Sequence, residues 1–230
     1  MSTPNSPGAP PRIVGPAAWL ALILTAATVL LPASLHVLSP EFDPSWRVVS
    51  EYALGRYGWV LSLMFLCWGL GTWALAATIR SQVATAAGRV GWWFLVVAGL
   101  GEALASAFDV THMIGHGVAG ALGVLGFPVA AMLLSVSLGR SEAWRGARRA
   151  LLALANLSWI SVVLLAGSLA LMTAQFARAN GGRLPSHAPK SLPPGVLGLD
   201  GWADRLIVLS NCAWVLAAAW QAIKLRRRDR

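Results

Sequence analysis

Apolar residues in this chain come in long blocks that are separated by short polar segments. Six such blocks stand out, at residues 17–35, 58–79, 90–108, 114–138, 150–176 and 202–223. An α-helix of about 20 apolar residues is long enough to cross a hydrocarbon core about 30 Å thick. The pattern therefore predicts an all-α integral membrane bundle of six transmembrane helices, built as one domain over residues 17–225.

The segments outside the blocks are too short to hold a separate soluble domain. Residues 1–16 contain five prolines and two glycines, a composition typical of a disordered tail. Residues 226–230 form a short basic tail. The connector between the first two blocks carries Trp46, Tyr52 and Tyr57, and such aromatic residues are typical of the membrane–water interface.

The basic residues predict the orientation of the bundle. The chain is 57% hydrophobic and 12% charged, with a formal net charge of +9. With both termini in the cytoplasm, six of its 18 Lys and Arg residues fall on the outer side: Arg47, Arg56, Arg178, Arg183, Lys190 and Arg205. The other twelve are cytoplasmic, as the positive-inside rule requires. We therefore expect a multi-pass protein of the plasma (inner) membrane that contacts membrane lipid and not nucleic acid.

Acidic residues and histidines fall mostly on the predicted outer side, where residues 108–117 hold Asp109, His112 and His116. Their i, i+3, i+7 spacing places them on one face if a single helix carries them, and they could then bind a metal such as zinc. A second interpretation is that Asp109 and Thr111 satisfy free backbone N–H groups where the fourth helix begins. A third is proton or ligand handling.

Three further polar features lie in or beside the apolar blocks. Glu102 falls inside the third block, and intramembrane carboxylates usually face the bundle interior and mark function, although a protonated, hydrogen-bonded Glu is the alternative. Ser50 and Glu51 precede the second block and suggest a helix cap. Asp204 and Arg205 open the sixth block, where an interfacial salt bridge is the simplest interpretation. Arg205 could also hold a lipid phosphate or pair with Asp109 or Glu51.

The fourth block carries a glycine every third residue, at Gly117, Gly120, Gly123 and Gly126. Small residues let helices in a membrane approach closely, so we expect this stripe to pack against a neighbouring helix. Pro128 follows the stripe and is expected to kink the helix.

Several short motifs together resemble a known family. They are Asp43-Pro44, Ser50-Glu51 followed by Leu54-Gly55, Phe108-Asp109, His116-Gly117 opening a Gly-rich helix, and Arg205 with Trp214 downstream. The chain resembles, over residues 17–225, the six-helix prokaryotic membrane family catalogued as domain of unknown function 998. The resemblance implies a fold and no established activity. Its recurrent polar positions fall on Ser50, Glu51, Asp109, His116 and Arg205, and not on His112.

A more distant resemblance is to the alkaline ceramidases and progestin/adiponectin-type receptors, a superfamily of zinc-dependent amide hydrolases. It rests on a Ser, an Asp and several His at helix ends. Those proteins have seven helices and carry an HxxxH pair in the last one. Here the pair is His112 and His116, in the middle of the chain.

These observations predict an outward-facing polar cavity that binds or moves a lipid or small molecule. The expected ligand-binding residues are Ser50, Glu51, Asp109, His116 and Arg205, of which all but Ser50 are expected to meet in one cluster. The alternative is a metal-dependent hydrolase acting on lipid at the outer leaflet, in which Asp109, His112 and His116 hold a metal that activates water. A haem carrier would need histidines paired across helices, and the apolar blocks offer none. The sequence leaves open the ligand, the oligomeric state and whether there is catalysis.

The topology leads to a first prediction, tested with single cysteines on opposite sides. Ser186→Cys lies in an outer loop and Ser141→Cys in an inner one. A membrane-impermeant thiol reagent added to intact cells should label Ser186→Cys and spare Ser141→Cys. The reverse pattern would invert the topology.

Overall fold

A computed structural model describes residues 14–183 and 191–228, which form helices and turns without any strand. The prediction of an all-α fold is therefore confirmed. The helices are α1 (Val14–Leu38), α2 (Gly58–Ile79), α3 (Ala86–Leu104), α4 (Met113–Gly120), α5 (Gly126–Leu138), α6 (Arg148–Ala179) and α7 (Asp200–Arg228). A π-helical turn, Ala121–Leu125, joins α4 to α5. Residues 1–13 and 229–230 of the two expected tails lie outside the described residues.

Five of the described helical segments are long and apolar enough to cross a membrane: Gly15–Leu38, Gly58–Gln82, Met113–Leu138, Arg148–Ala179 and Asp200–Arg226. This chain is a multi-pass membrane protein. α3 corresponds to the remaining predicted block and has 19 residues, which gives it a length of about 28 Å. It carries Arg89 and Glu102 and is not among the five. The count of six spans and the orientation of the termini stay predictions.

Six of the helices, all but the short α4, form a ring in chain order. α1 packs on α2, α2 on α3, α3 on α5, α5 on α6, α6 on α7, and α7 on α1. α2 and α7 also touch each other, and 61% of the apolar window of each is buried, against 28% for α1 and 22% for α6. The segment Met113–Leu138 is 56% buried. α2, α7 and this segment are therefore the more buried spans, while α1 and α6 present most of their apolar surface outward, as lipid-facing helices do.

Glycines let α3 lie unusually close to both of its neighbours. A Cβ atom at Gly101 would stand 2.5 Å from the Gly123 nitrogen and 2.6 Å from the Ala119 carbonyl oxygen. A Cβ atom at Gly69 of α2 would stand 2.6 Å from the Gly99 carbonyl oxygen. Because lipid provides no hydrophobic force between helices, such backbone contact is a main source of their association.

The glycine stripe of the fourth block follows the prediction only in part. Gly123 and Gly126 face α3, but Gly117 and Gly120 have no heavy atom within 4 Å of the place where a Cβ would stand. The π-helical turn begins after Gly120 and contains Gly123, and it shifts the face that the helix presents. Pro128 has no N–H to give to the carbonyl of residue 124, four positions earlier, and that residue lies within the wide turn.

The junction between α3 and α4 also differs from the prediction. The third helix was expected to reach Phe108 but ends at Leu104. Asp109 Oδ1 accepts the Thr111 N–H at 2.8 Å, which closes a turn before α4 begins. The residue at the α4 N-cap is His112, whose side chain makes no capping bond. Asp109 and Thr111 therefore shape the loop and do not cap the helix.

Candidate functional site

A cavity of about 90 Å³ lies at the end of the bundle where α2, α4 and α7 begin and α3 ends. Four polar side chains line it: Ser50, Glu102, His116 and Asp204. Its other side-chain walls are mainly apolar, with Met64, Phe65, Trp68, Ile207 and Val208 among them. A concave apolar pocket on which a few polar groups converge is the usual form of a small-molecule site.

Glu102 and Trp68 leave two buried polar atoms without a partner at this cavity. Glu102 is 4% exposed, and its Oε2 accepts a hydrogen bond from the Thr72 hydroxyl at 2.6 Å. Its Oε1 and the indole Nε1–H of Trp68 are both buried and find no hydrogen-bond partner within the described residues. Leaving such an atom unpaired costs about 1–3 kcal/mol. Both residues line the cavity, so a bound molecule or ordered water that reached these atoms would supply the missing bonds.

His116 is half-buried and its tautomer is fixed by the backbone. Its Nδ1 lies 2.9 Å from the Phe108 carbonyl oxygen. Because a carbonyl oxygen only accepts, Nδ1 carries the hydrogen, and Nε2 of the neutral ring is an acceptor. The bond also holds the loop after α3 against the first turn of α4.

Asp204 connects the cavity to the segment that covers it. Its Oδ2 accepts the backbone N–H of Val49 at 2.7 Å, at the start of the 3₁₀ helix Val49–Leu54. This bond holds the 3₁₀ helix on α7 and brings Ser50 to the cavity wall. Asp204 and Arg205 were expected to form a salt bridge, but neighbouring helical residues point in different directions, and the described part of the chain has no ion pair between them.

Arg205 is a structural clamp, and four of its five N–H donors bond to acceptors of the protein. Its Nε donates to His36 Nε2 at 2.9 Å. Its Nη1 donates to the carbonyl oxygens of Arg47 and Gly201, at 2.8 and 2.9 Å, and its Nη2 lies 3.2 Å from the Tyr52 hydroxyl. Arg205 is only 7% exposed. Its hydrogen bonds tie α7 to α1 and to the connector before α2.

Glu51 lies beside this clamp and not in the cavity lining. Its carboxylate pairs with Arg47 at 3.1 Å. Burial raises the pKa of Glu51, and the positive charge of Arg47 offsets part of that shift. The expected cap by Ser50 and Glu51 is absent, since the 3₁₀ helix has Val48 at its N-cap without a side-chain bond.

Asp109 and His112 form a pair at the surface. Asp109 Oδ1 lies 3.3 Å from His112 Nδ1, and the two side chains are 39% and 62% exposed. Hydrogen bonds from Thr111 hold the pKa of Asp109 below its usual range. Among the described residues, no three His, Cys, Asp or Glu side chains are grouped to hold one metal ion. The structure thus does not gather Asp109, His112 and His116 into one ligand set, and metal content stays a question for metal analysis.

A family model for domain of unknown function 998, described as a protein of unknown function, matches residues 13–221. The chain belongs to this family. No curated protein and no solved structure matches it. The family description names no activity, so the site itself carries the functional argument.

In this member of domain of unknown function 998, the five residues expected to bind ligand are divided among three places. Ser50 and His116 line the cavity. Arg205 forms the clamp and bonds to the Arg47 carbonyl oxygen, while Glu51 lies beside the clamp and pairs with the Arg47 side chain. Asp109 lies in the exposed turn. The cavity adds three groups that were not among the expected ligand residues: Glu102, which was singled out only as an intramembrane carboxylate, Asp204 and Trp68. Asp204 had been interpreted only as a salt-bridge partner, and nothing in the sequence shows that the N–H of Trp68 lacks an acceptor.

The two neighbouring histidines give a second prediction. His116→Ala removes the bond to the Phe108 carbonyl and should destabilise the protein by about 1 kcal/mol, the net value of a typical hydrogen bond. His112→Ala removes only an exposed pair and should cost less than about 0.5 kcal/mol. Thermal unfolding of both variants in detergent measures the difference. Equal shifts would mean that His116 is no better anchored than a surface histidine.

Proposed function

We propose that this multi-pass membrane protein binds or moves a lipid or small molecule through the cavity lined by Ser50, Glu102, His116 and Asp204. The observation that carries the proposal is that two residues lining one cavity, Glu102 and Trp68, each have a buried polar atom, Oε1 and Nε1, without a partner among the described residues. A ligand that bonded to both would recover the free energy lost by their burial. The function is therefore argued from binding groups and not from a reaction.

The predicted orientation places the cavity on the outer side of the membrane. It lies at the end of the bundle that holds the connector before α2 and the turn before α4. The basic links at residues 80–89 and 140–149 lie at the other ends of these helices, and basic links of this kind favour the cytoplasm. A molecule would then reach the cavity from the outer leaflet or the outer solution.

An apolar groove beside the cavity supports a lipid as one form of the ligand. The groove has a volume of about 400 Å³ and lies between α1 and α7, with Pro32, Trp202 and Leu209 among its residues. Val49 and Val208 line both the groove and the cavity. The cavity alone holds a small polar group, and a lipid would leave its chains in the groove or in the bilayer.

A matched pair of glycines allows the cavity to be filled without disturbing the packing. Gly120 lines the cavity and has no heavy atom within 4 Å of its Cβ position. Gly117 has the same open space but is outside the lining. Gly120→Leu should therefore occupy the cavity, while Gly117→Leu, one turn earlier, should leave it empty.

The third prediction compares what each form of the protein retains during purification in a mild detergent. Mass spectrometry of extracted lipids and small molecules should show a component enriched in wild type and in Gly117→Leu. In Gly120→Leu it should fall at least about tenfold, which corresponds to about 1.4 kcal/mol of lost binding. Identical profiles in all three proteins would rule out the cavity as the binding site.

Metal analysis of the same samples tests the alternative. One zinc per wild-type chain that disappears in both His112→Ala and His116→Ala would favour the metal-dependent hydrolase acting on lipid. Absence of stoichiometric metal from wild type, together with the glycine result, would favour the binding function.

A further inference from the structure

We propose that the cavity selects a protonated amine, and that the group it receives is a small primary ammonium carrying a neighbouring oxygen. The ammonium group can belong to a free amino alcohol or to the headgroup of an aminophospholipid. The inference rests on the proposed binding function and names the class of ligand for the same cavity.

The charge of the lining is the first argument. Two carboxyl groups, those of Glu102 and Asp204, line the cavity, and no Lys or Arg is among its lining residues. The protein as a whole has a net charge of +9, so this acidic lining runs against the overall charge. The donors of Arg205, the nearest guanidinium in sequence, are directed to His36, Tyr52 and backbone carbonyls. A cationic group that entered would be attracted to whichever of these carboxyl groups is ionised.

The hydrogen-bonding groups of the lining are the second argument. Glu102 Oε1 is a buried acceptor without a donor. In the neutral ring of His116, Nε2 is an acceptor because the Phe108 carbonyl holds the hydrogen on Nδ1. The Ser50 hydroxyl can accept as well. The matching ligand is therefore rich in N–H donors, and a primary ammonium provides three of them with no acceptor.

Aromatic rings supply the third argument. Phe65 and Trp68 stack with their planes 5° apart and their centroids 6.3 Å apart, and both line the cavity. Aromatic faces attract ammonium groups, by about 2 kcal/mol or more where water is excluded. A metal ion fits less well, because within the described chain no three His, Cys, Asp or Glu side chains are grouped to hold one.

The indole N–H of Trp68 requires the ligand to carry a hydrogen-bond acceptor next to its ammonium group. It is the buried donor without an acceptor, and an ammonium group cannot accept its hydrogen. A ligand that satisfies both Trp68 and Glu102 carries an oxygen close to its nitrogen. The cavity of about 90 Å³ limits this group to a few heavy atoms, as in ethanolamine or the headgroup of phosphatidylethanolamine.

The experiment uses the full-length protein in an uncharged detergent at neutral pH and constant ionic strength. Thermal unfolding and titration calorimetry are measured with ethanolamine and with ethylene glycol, which is its neutral counterpart of similar size. Short-chain phosphatidylethanolamine and short-chain phosphatidylglycerol, added in the same way, distinguish a lipid headgroup from a free amine. Glu102→Gln tests the carboxylate. Glu142→Gln is the control, because Glu142 is 87% exposed and pairs only with Arg145.

We expect ethanolamine, short-chain phosphatidylethanolamine or both to bind and stabilise wild type and Glu142→Gln. Ethylene glycol and phosphatidylglycerol should bind at least about tenfold more weakly, and Glu102→Gln should weaken amine binding by a similar factor, which is about 1.4 kcal/mol. If Glu102→Gln does not fold, Gly120→Leu takes its place and should abolish amine binding.

Three results would overturn the inference. They are equal binding of the neutral and the ammonium probes, unchanged amine binding in folded Glu102→Gln, and failure of both ammonium probes to bind wild type. None of them contradicts the proposed function, because the comparison of Gly120→Leu with Gly117→Leu depends on filling the cavity and not on the charge of its occupant.

Discussion

The buried carboxyl group of Glu102 is the constraint on which this end of the bundle depends. A carboxyl group in an apolar helix bundle costs several kcal/mol unless hydrogen bonds compensate its lost hydration. Thr72 on α2 supplies one bond to Oε2 at 2.6 Å, which fixes the relation of α3 to α2. The second oxygen has no partner within the described chain. The fold thus provides a hydrogen bond to Oε2, and Oε1 is left for a molecule bound in the cavity.

Glycines near Glu102 bring the helices close together but leave the cavity between them unfilled by side chains. Gly101 brings α3 into contact with the backbone at Ala119 and Gly123, so no side chain from that neighbour fills the space. Gly120 also lines the cavity without a side chain. On the opposite wall, Asp204 holds the N–H of Val49. Arg205, one residue later, binds the connector from its other side. Two adjacent residues of α7 therefore have different roles. Asp204 lines the cavity, and Arg205 holds the connector before α2 in place.

The sequence predicts the helices well because the bilayer requires long apolar segments, and those segments survive as α1 to α7. It predicts their ends less well. The third block continues with apolar residues to Phe108, so nothing in hydropathy reveals that α3 stops at Leu104. The glycine stripe is also misleading, because its period of three assumes a regular helix. The π-helical turn Ala121–Leu125 begins after Gly120, and the glycines from the turn onward pack on α3 while Gly117 and Gly120 face open space.

The candidate site is predictable only where a residue is conspicuous on its own. Glu102 and His116 stand out as an acid and an imidazole among apolar residues, and both line the cavity. Arg205 stands out equally, but only the three-dimensional structure shows that protein acceptors occupy its donors. Trp68 does not stand out in an apolar block, because the sequence does not show that its indole N–H lacks a hydrogen-bond acceptor. Sequence identifies charges that need partners, and tertiary structure decides which of them stay unpaired.

The most direct test of this account is a high-resolution experimental map of the wild-type protein purified with its native lipids. The cavity should contain density that does not belong to the protein, that is larger than a water molecule and that lies within hydrogen-bond distance of both Glu102 Oε1 and Trp68 Nε1. A cavity that is closed by side chains, or one in which ordered water alone bonds to both atoms, would contradict the claim that this is a ligand site.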